Sequence, residues 1–173
     1  MAAKSEDGAE QAEIAAAYSA YAGPLYRYLR TILQSAEEAE DILQETFIDS
    51  LKQIRRIGIH NLRAYLFQAA KNKALMVLRT SRRRNVDVNT DSLSWIDASA
   101  CSGEDREAEI DLSRALQKLP LEQKEVLVLK LSEGLTFKEI GETLNISQNT
   151  AASRYRLGLA RLRALLEGGD EHG

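Results

Sequence analysis

Between Gln148 and Leu166 the chain carries Arg154, Arg156, Arg161 and Arg163 and no acidic residue. Guanidinium groups on a helix without competing carboxylates pair well with phosphate oxygens and, at the right depth, with base edges. Gln148, Asn149, Thr150 and Ser153 add amide and hydroxyl groups at the start of the same stretch, where helices that enter a DNA groove reach the bases. Gln148, Asn149, Thr150, Ser153, Arg154, Arg156 and Arg163 are therefore expected to face DNA. A second acid-free stretch, Leu62 to Arg84, holds Arg63, Lys71, Lys73, Arg79, Arg82, Arg83 and Arg84, with Tyr65 and Phe67 near its start. Cations beside exposed rings suit single-stranded nucleic acid, because bases stack on the rings while the cations follow the backbone. The other reading of both rings is that they belong to the core.

Covalent chemistry finds no support in the same sequence. It shows no nucleophile with a base and an orienting group, no Gly-rich phosphate loop and no metal-ligand spacing. Cys101 is the only cysteine, which excludes an internal disulfide and points to a reducing compartment. His60 and His172, the only histidines, lie far apart and read as solvated. Neither a metal nor another cofactor is expected, and the chain does not read as an enzyme. Its first residues, MAAKSEDGAEQAE, lack the apolar run of a signal peptide. No stretch reaches the ~20 apolar residues of a membrane span, so no membrane insertion and a cytoplasmic location are expected. The net charge of −3 argues against nucleic acid only if the chain is averaged; by segment, basic and acidic residues are separated.

The elements that must carry these side chains are helical almost throughout, since Ala, Leu, Glu, Arg and Gln dominate and Pro occurs twice. Thr136 and Glu139 have the spacing of a capping box, opening a helix over Phe137 to Leu144. Asn145 tolerates the left-handed turn that follows, and Ser147 caps the next helix, making a helix-turn-helix. Along that second helix Ala151, Tyr155, Gly158, Leu162 and Leu165 share one face and should pack inward. Asn149, Ala152, Ser153, Arg156 and Arg163 fall on the other face. Ser35 and Glu38 form a second capping box, before a helix extended to about Ile54. Its buried stripe is Ala39, Ile42, Leu43, Phe47, Leu51 and Ile54. Its outer row, Asp41, Gln44, Glu45, Ile48 and Lys52, frames one isoleucine with polar groups and reads either as a partner surface or as a solvated face. Upstream, Ile14 to Tyr21 is helical, and Gly23-Pro24 is expected to break it before Leu25 begins another run.

From Asn85 to Asp111 eight acidic residues stand against the single Arg106, and periodicity is lost until about Glu107. This is an acidic, flexible linker with an apolar dyad, Trp95-Ile96, inside it. Helices follow from about Asp105 to Lys118 and from Leu121 to Ser132, the second with Val126, Leu127, Leu129 and Leu131 as core and Gly134 as terminator. The expected fold is all-α, with two small helical domains joined by the linker. A disordered N-terminus covers 1–11, the first domain 12–84, the linker 85–106, the helix-turn-helix domain 107–166 and a disordered tail 167–173.

Two basic helical domains in this order resemble the extracytoplasmic-function (ECF) type of bacterial RNA polymerase sigma factor, the minimal form with only the second and fourth conserved regions. The residues that carry the resemblance are AEDILQETF (Ala39 to Phe47) and RAYLFQAAKN (Arg63 to Asn72) in the first domain. In the second they are LQKLPLEQKEVLVLKLSEGLTFKEIGETLNIS (Leu116 to Ser147) and NTAASRYRLGLARLR (Asn149 to Arg163). Departures from the family pattern are Ala151-Ala152 for the usual Val and basic residue, Leu157-Gly158 for Arg-Ala, Tyr65 for Trp and Met76 for Asp.

The resemblance implies a transcription initiation subunit that binds core RNA polymerase and promoter DNA. Asp41, Gln44, Glu45 and Ile48 would meet the clamp helices of the largest subunit, and the second domain the flap region. Asn61, Arg63, Tyr65, Lys71, Asn72, Arg79, Arg82 and Arg83 would recognise and help melt the −10 element, reading a base once it has left the stack. The helix-turn-helix would read the −35 element as duplex. An anti-sigma factor is a further expected partner. The rival reading is a stand-alone helix-turn-helix regulator, which would bind a palindromic duplex without polymerase.

Overall fold

A computed structural model describes residues 3–57, 61–84 and 103–168 of the chain, and every regular element among them is an α-helix. Helices α1 (Ala3–Leu33), α2 (Ala36–Ile57) and α3 (Leu62–Arg84) form the N-terminal domain. Helices α4 (Gly103–Gln117), α5 (Leu121–Leu131), α6 (Phe137–Leu144) and α7 (Gln148–Glu167) form the C-terminal one. The two-domain, all-helical expectation holds. His60, Trp95, Cys101 and His172 lie outside the described residues, as does all of the expected linker except the first turn of α4.

Two expectations for α1 are corrected. The helix begins at Ala3 rather than near Ala12, through a stretch rich in Ala, Glu and Gln that favours helix. It also continues past Gly23-Pro24. Proline inside a helix forfeits one hydrogen bond and crowds the preceding turn, a cost of about 3 kcal/mol. Burial on both sides of Pro24 offsets it: Tyr21 and Ala22 pack on the same cluster that takes in Leu25, Tyr28, Leu29 and Ile32. Only an unbroken helix delivers both groups to one core. The chain then reverses at Gln34, whose φ is 63°, and the Ser35 hydroxyl accepts from the Glu38 amide at 3.2 Å to open α2. Ala39, Ile42, Leu43 and Phe47 point inward as expected, whereas the side chains of Leu51, Lys52 and Ile54 lie outside the described set.

The two domains are packed against each other. The apolar cluster of α1, α2 and α3 runs on without interruption into Val126 and Leu129 of α5 and Leu135, Ile140 and Leu144 around α6. A second cluster, Ala115, Leu116, Leu119, Leu127 and Leu162, ties α4 and α5 to α7. Helix α5 therefore has neighbours all round, and its residues from Lys124 to Leu129 are all buried. Leu131, expected in the core, is instead 59% exposed, because α5 ends there and the chain turns through Ser132 and Gly134 (φ 63°).

Lys124 is a buried ammonium on that helix. Its Nζ donates to Gln117 Oε1 at 2.9 Å, an oxygen that also accepts from Gln34 Nε2. Burial lowers the pKa of its ammonium from the ordinary lysine value to about 8. At pH 7 the amine is charged in folded and unfolded chains alike, so the fold carries the full cost of burying it. Between pH 8 and the ordinary lysine range the unfolded chain holds the extra proton, and stability rises with pH. Above about pH 10 Tyr28 opposes this, since burial, reinforced by Glu125, holds its hydroxyl protonated in the fold while the unfolded chain releases that proton. Urea denaturation should therefore show stability increasing between pH 7.5 and 9.5. Lys124→Met should flatten that rise and, at pH 7, add on the order of 2 kcal/mol.

Candidate nucleic-acid interface

The helix-turn-helix is built from short-range hydrogen bonds. Thr136 Oγ1 accepts from the Glu139 amide at 3.2 Å, and Glu139 Oε2 accepts from the Thr136 amide at 2.8 Å and from its hydroxyl at 2.7 Å. These bonds, the backbone one first, hold the Glu139 carboxyl below the usual range. Asn145 sits in the left-handed region at φ 55° and ψ 50°, and its amide donates to the Gly141 carbonyl. The Ser147 hydroxyl accepts from the Thr150 amide at 3.0 Å to start α7. The angle between the helices depends on Gly141. A Cβ there would lie 2.8 Å from the Ile146 carbonyl oxygen, a backbone atom that cannot swing away.

On α7 the inward face is as expected. Ala151 is fully buried, Tyr155 packs its ring on Phe137 with centroids 5.5 Å apart, and Leu162 is buried. Gly158, a departure from the family pattern, lets α7 approach α5: a Cβ would come within 3.1 Å of Leu127 Cδ1 and 3.2 Å of Gln123 Cβ. Its neighbour Leu157 is exposed. Gln148, Asn149, Thr150, Ser153, Arg156 and Arg163 are all exposed, with Arg156 Nη2 donating to Ser153 Oγ at 3.4 Å. Arg154 is placed differently. Its Nη2 lies 3.0 Å from Glu122 Oε2, so it braces α7 to α5 at the flank of the exposed row.

The α3 residues divide into two sets. Asn61 Oδ1 accepts from the Ala64 amide at 3.1 Å, capping α3, while its Nδ2 donates to Glu142 Oε2 at 3.1 Å. Arg63 Nη1 is 3.4 Å from Glu139 Oε1, and Gln68 Nε2 donates to the Glu142 carbonyl at 3.2 Å. Lys71 Nζ donates to Glu125 Oε2 at 2.8 Å. Asn61, Arg63 and Lys71 thus face the C-terminal domain. Asn72 and Arg79 are exposed, Tyr65 is half-buried, and the side chains of Arg82 and Arg83 lie outside the described set. Phe67 is core: it is 1% exposed, edge-on to Tyr28 with centroids 5.3 Å apart, and offers no stacking platform. Lys73 turns the other way, 2.8 Å from Asp49 and 3.1 Å from Glu45 of α2; Asp49, then Glu45, raise its pKa.

On α2, Asp41, Gln44, Glu45 and Ile48 are all exposed on one face, Ile48 by 54%, although Glu45 is already paired with Lys73. Asp41 and Glu45 also line a shallow groove towards Met76, which is 65% exposed. Sequence reasoning missed Tyr28, Glu125 and Glu142 as members of a shared polar interface. It also passed over Gly141, for which a signal existed: an isolated glycine inside a helical pattern marks a close approach. No group of acidic, His and Cys side chains suited to a metal occurs among the described residues, and no helix among them is long and apolar enough to cross a membrane.

Residues 17–84 match the family described as Sigma-70 region 2, and residues 109–162 match Sigma-70, region 4. Over 154 residues the chain is 28% identical to the ECF RNA polymerase sigma factor SigM of Bacillus subtilis, covering 88% of this chain and 94% of that protein. It is 30% identical over 164 residues to the ECF RNA polymerase sigma factor SigL of Mycobacterium tuberculosis, covering 92% of each. Among solved structures, the fold is similar to the sigma factor RpoE in its complex with the anti-sigma factor NepR from Bartonella quintana. The TM-score is 0.69 at 21% identity, over 91% of this chain and 96% of that one.

The close approach at Gly141 yields a prediction. Gly141→Ala should force the two helices apart and lower stability by about 1–3 kcal/mol in thermal denaturation. Ala160→Ser, at an exposed position of α7, should be neutral in the same assay.

Proposed function

The chain belongs to the ECF RNA polymerase sigma factors of the sigma-70 family, and from that membership we propose which of its residues carry each part of the work. As a sigma factor it directs RNA polymerase to promoters, region 2 recognising the −10 element and region 4 the −35 element, and it is not an enzyme. For the −35 element the reading rests on the exposed row Asn149, Ser153, Arg156 and Arg163, with Gln148 and Thr150 at the helix start. A capped helix that turns its apolar side inward and leaves amides near its start and guanidiniums further along can enter a major groove, bases first and phosphates behind. This row is the observation that carries the assignment. Arg154 serves it indirectly, by fixing α7 to Glu122.

For the −10 element the reading rests on α3: Asn61, Arg63, Lys71, Asn72 and Arg79, with Tyr65 as the half-buried ring beside them. Arg82 and Arg83 extend the basic run in sequence. Asp41, Gln44, Glu45 and Ile48 form the surface for the clamp helices of core polymerase. An exposed isoleucine framed by polar side chains is the composition of a small protein interface. Region 4 would contact the flap region. RpoE was crystallised with an anti-sigma factor, and a protein of that kind is the regulator we propose for this chain.

Run-off transcription with core polymerase tests the assignment. Promoter-dependent transcript should require this chain, and Asp41→Arg with Ile48→Asp should abolish it by preventing holoenzyme assembly. Arg156→Ala should weaken binding of the holoenzyme to upstream promoter DNA and reduce the slope of log affinity against log salt by about one. Arg154→Ala should leave that slope unchanged and act on thermal stability instead. An unchanged salt slope for Arg156→Ala would remove that residue from the phosphate contacts.

A further inference from the structure

From the start of α7 to Leu165, its large apolar side chains turn inward with one exception. Tyr155, Leu159, Leu162 and Leu165 pack on the two clusters, whereas Leu157 is 62% exposed. It stands four residues after Ser153 and eight after Asn149, so all three share one helical row, and Arg156 precedes it directly. The helix that presents it is held firmly. Arg154 Nη2 is 3.0 Å from Glu122 Oε2, and Gly158 lets the backbone next to Leu157 close on Leu127. A single exposed leucine is ordinary on most surfaces. Leu131, 59% exposed at the end of α5, is of that kind. Leu157 differs because its neighbours are the groups we assign to a DNA groove, and among them it can neither donate to a base nor pair with a phosphate.

We propose that Leu157 is a specificity-determining residue of the −35 contact, selecting a thymine by packing against its C5-methyl group in the major groove. This rests on the assignment of the α7 row to duplex DNA. Among the four bases only thymine presents a methyl group there, whereas cytosine offers an amino donor and the purines present polar edges. Against Leu157 a cytosine amine would lose its water and gain no acceptor, so the wrong base is penalised as well as the right one favoured. A leucine loses little rotamer freedom and its helix is already braced, so the contact needs little ordering. An arginine at the same position would instead favour guanine or a phosphate. Leu157 is one of the departures from the family pattern, which makes this preference a property of the chain and not of sigma factors in general.

The test uses holoenzyme assembled from core polymerase and the full chain. Upstream duplexes are selected with it from genomic DNA, and each thymine of the selected element is then replaced singly by deoxyuridine, which removes the methyl group and leaves the pairing edge intact. Binding of the fluorescein-labelled duplexes, read by anisotropy, should weaken about fourfold at one thymine or at two adjacent ones, the worth of one buried methyl group. Leu157 is exposed, so its truncation leaves the fold intact. Leu157→Ala should bind the thymine and deoxyuridine duplexes equally, and Leu157→Met should restore the difference. Leu131→Ala removes similar exposed apolar surface from α5 and should keep the difference in full. The role of Leu157 is overturned if no thymine is sensitive to loss of its methyl group, if Leu157→Ala retains the sensitivity, or if the selected element contains no A·T pair. Arg156→Ala separates this from the assignment beneath it. A reduced salt slope with no methyl-sensitive thymine sinks the role of Leu157 alone, whereas an unchanged slope with no methyl-sensitive thymine sinks both.

Discussion

A carboxylate with almost no access to water lies where the two domains meet. Glu125 accepts from Tyr28 Oη at 2.7 Å and from Lys71 Nζ at 2.8 Å, so its two oxygens are satisfied by two helices of the other domain. Taking an ion pair out of water costs several kcal/mol per ion, and the mutual attraction repays it only when the geometry is good and the remaining groups are bonded. Such a pair adds little net stability. It does punish every arrangement in which only one partner is present, because an unpaired buried charge is far costlier than either alternative. Glu125 therefore permits the docking of α5 on α1 and α3 in a single register.

The consequences spread from α5. Its buried run from Lys124 to Leu129 serves two cores at once, giving Val126 and Leu129 to the N-terminal cluster and Leu127 to the cluster with Leu162 of α7. Gly158 lets α7 lie close against Leu127. The position of α7 is thus set by α5 on one side and by Gly141 and the Asn145 turn on the other. Arg154, bonded to Glu122, adds a third constraint. The exposed row of α7 that we propose for DNA is thus held by packing at some distance from it.

What the sequence made legible was local. The Thr136 box, the Asn145 turn and the Ser147 cap are interactions within five residues, and composition and spacing reveal them directly. So are the inward face of α7 and the start and end of α3. What it hid was non-local. The Lys71–Glu125 and Arg27–Glu133 partners are 54 and 106 residues apart, and in one dimension each reads as a solvated charge. The same limit explains Phe67, which is equally at home on a stacking surface or in a core until Tyr28 is known to lie beside it. Pro24 misled for the opposite reason: a strong local rule was outweighed by burial on both sides that no local rule includes. The ends of the chain and the acidic stretch after α3 carried compositional signals only, and much of that stretch lies outside the described residues.

The bidentate grip of Arg27 on Glu133 and the two donors on Glu125 also bear on how interchangeable the parts of such a protein are. Families built from a region 2 and a region 4 invite the view that promoter preferences can be exchanged by transplanting either region. Here each half carries side chains that make physical sense only in the presence of the other. A region 4 with Glu125, grafted onto a region 2 lacking a hydroxyl at 28 and an amine at 71, would carry a stranded charge into its new interface. The unit that is inherited and exchanged intact would then be the matched pair of regions, with Tyr28, Lys71 and Glu125 constrained to vary together.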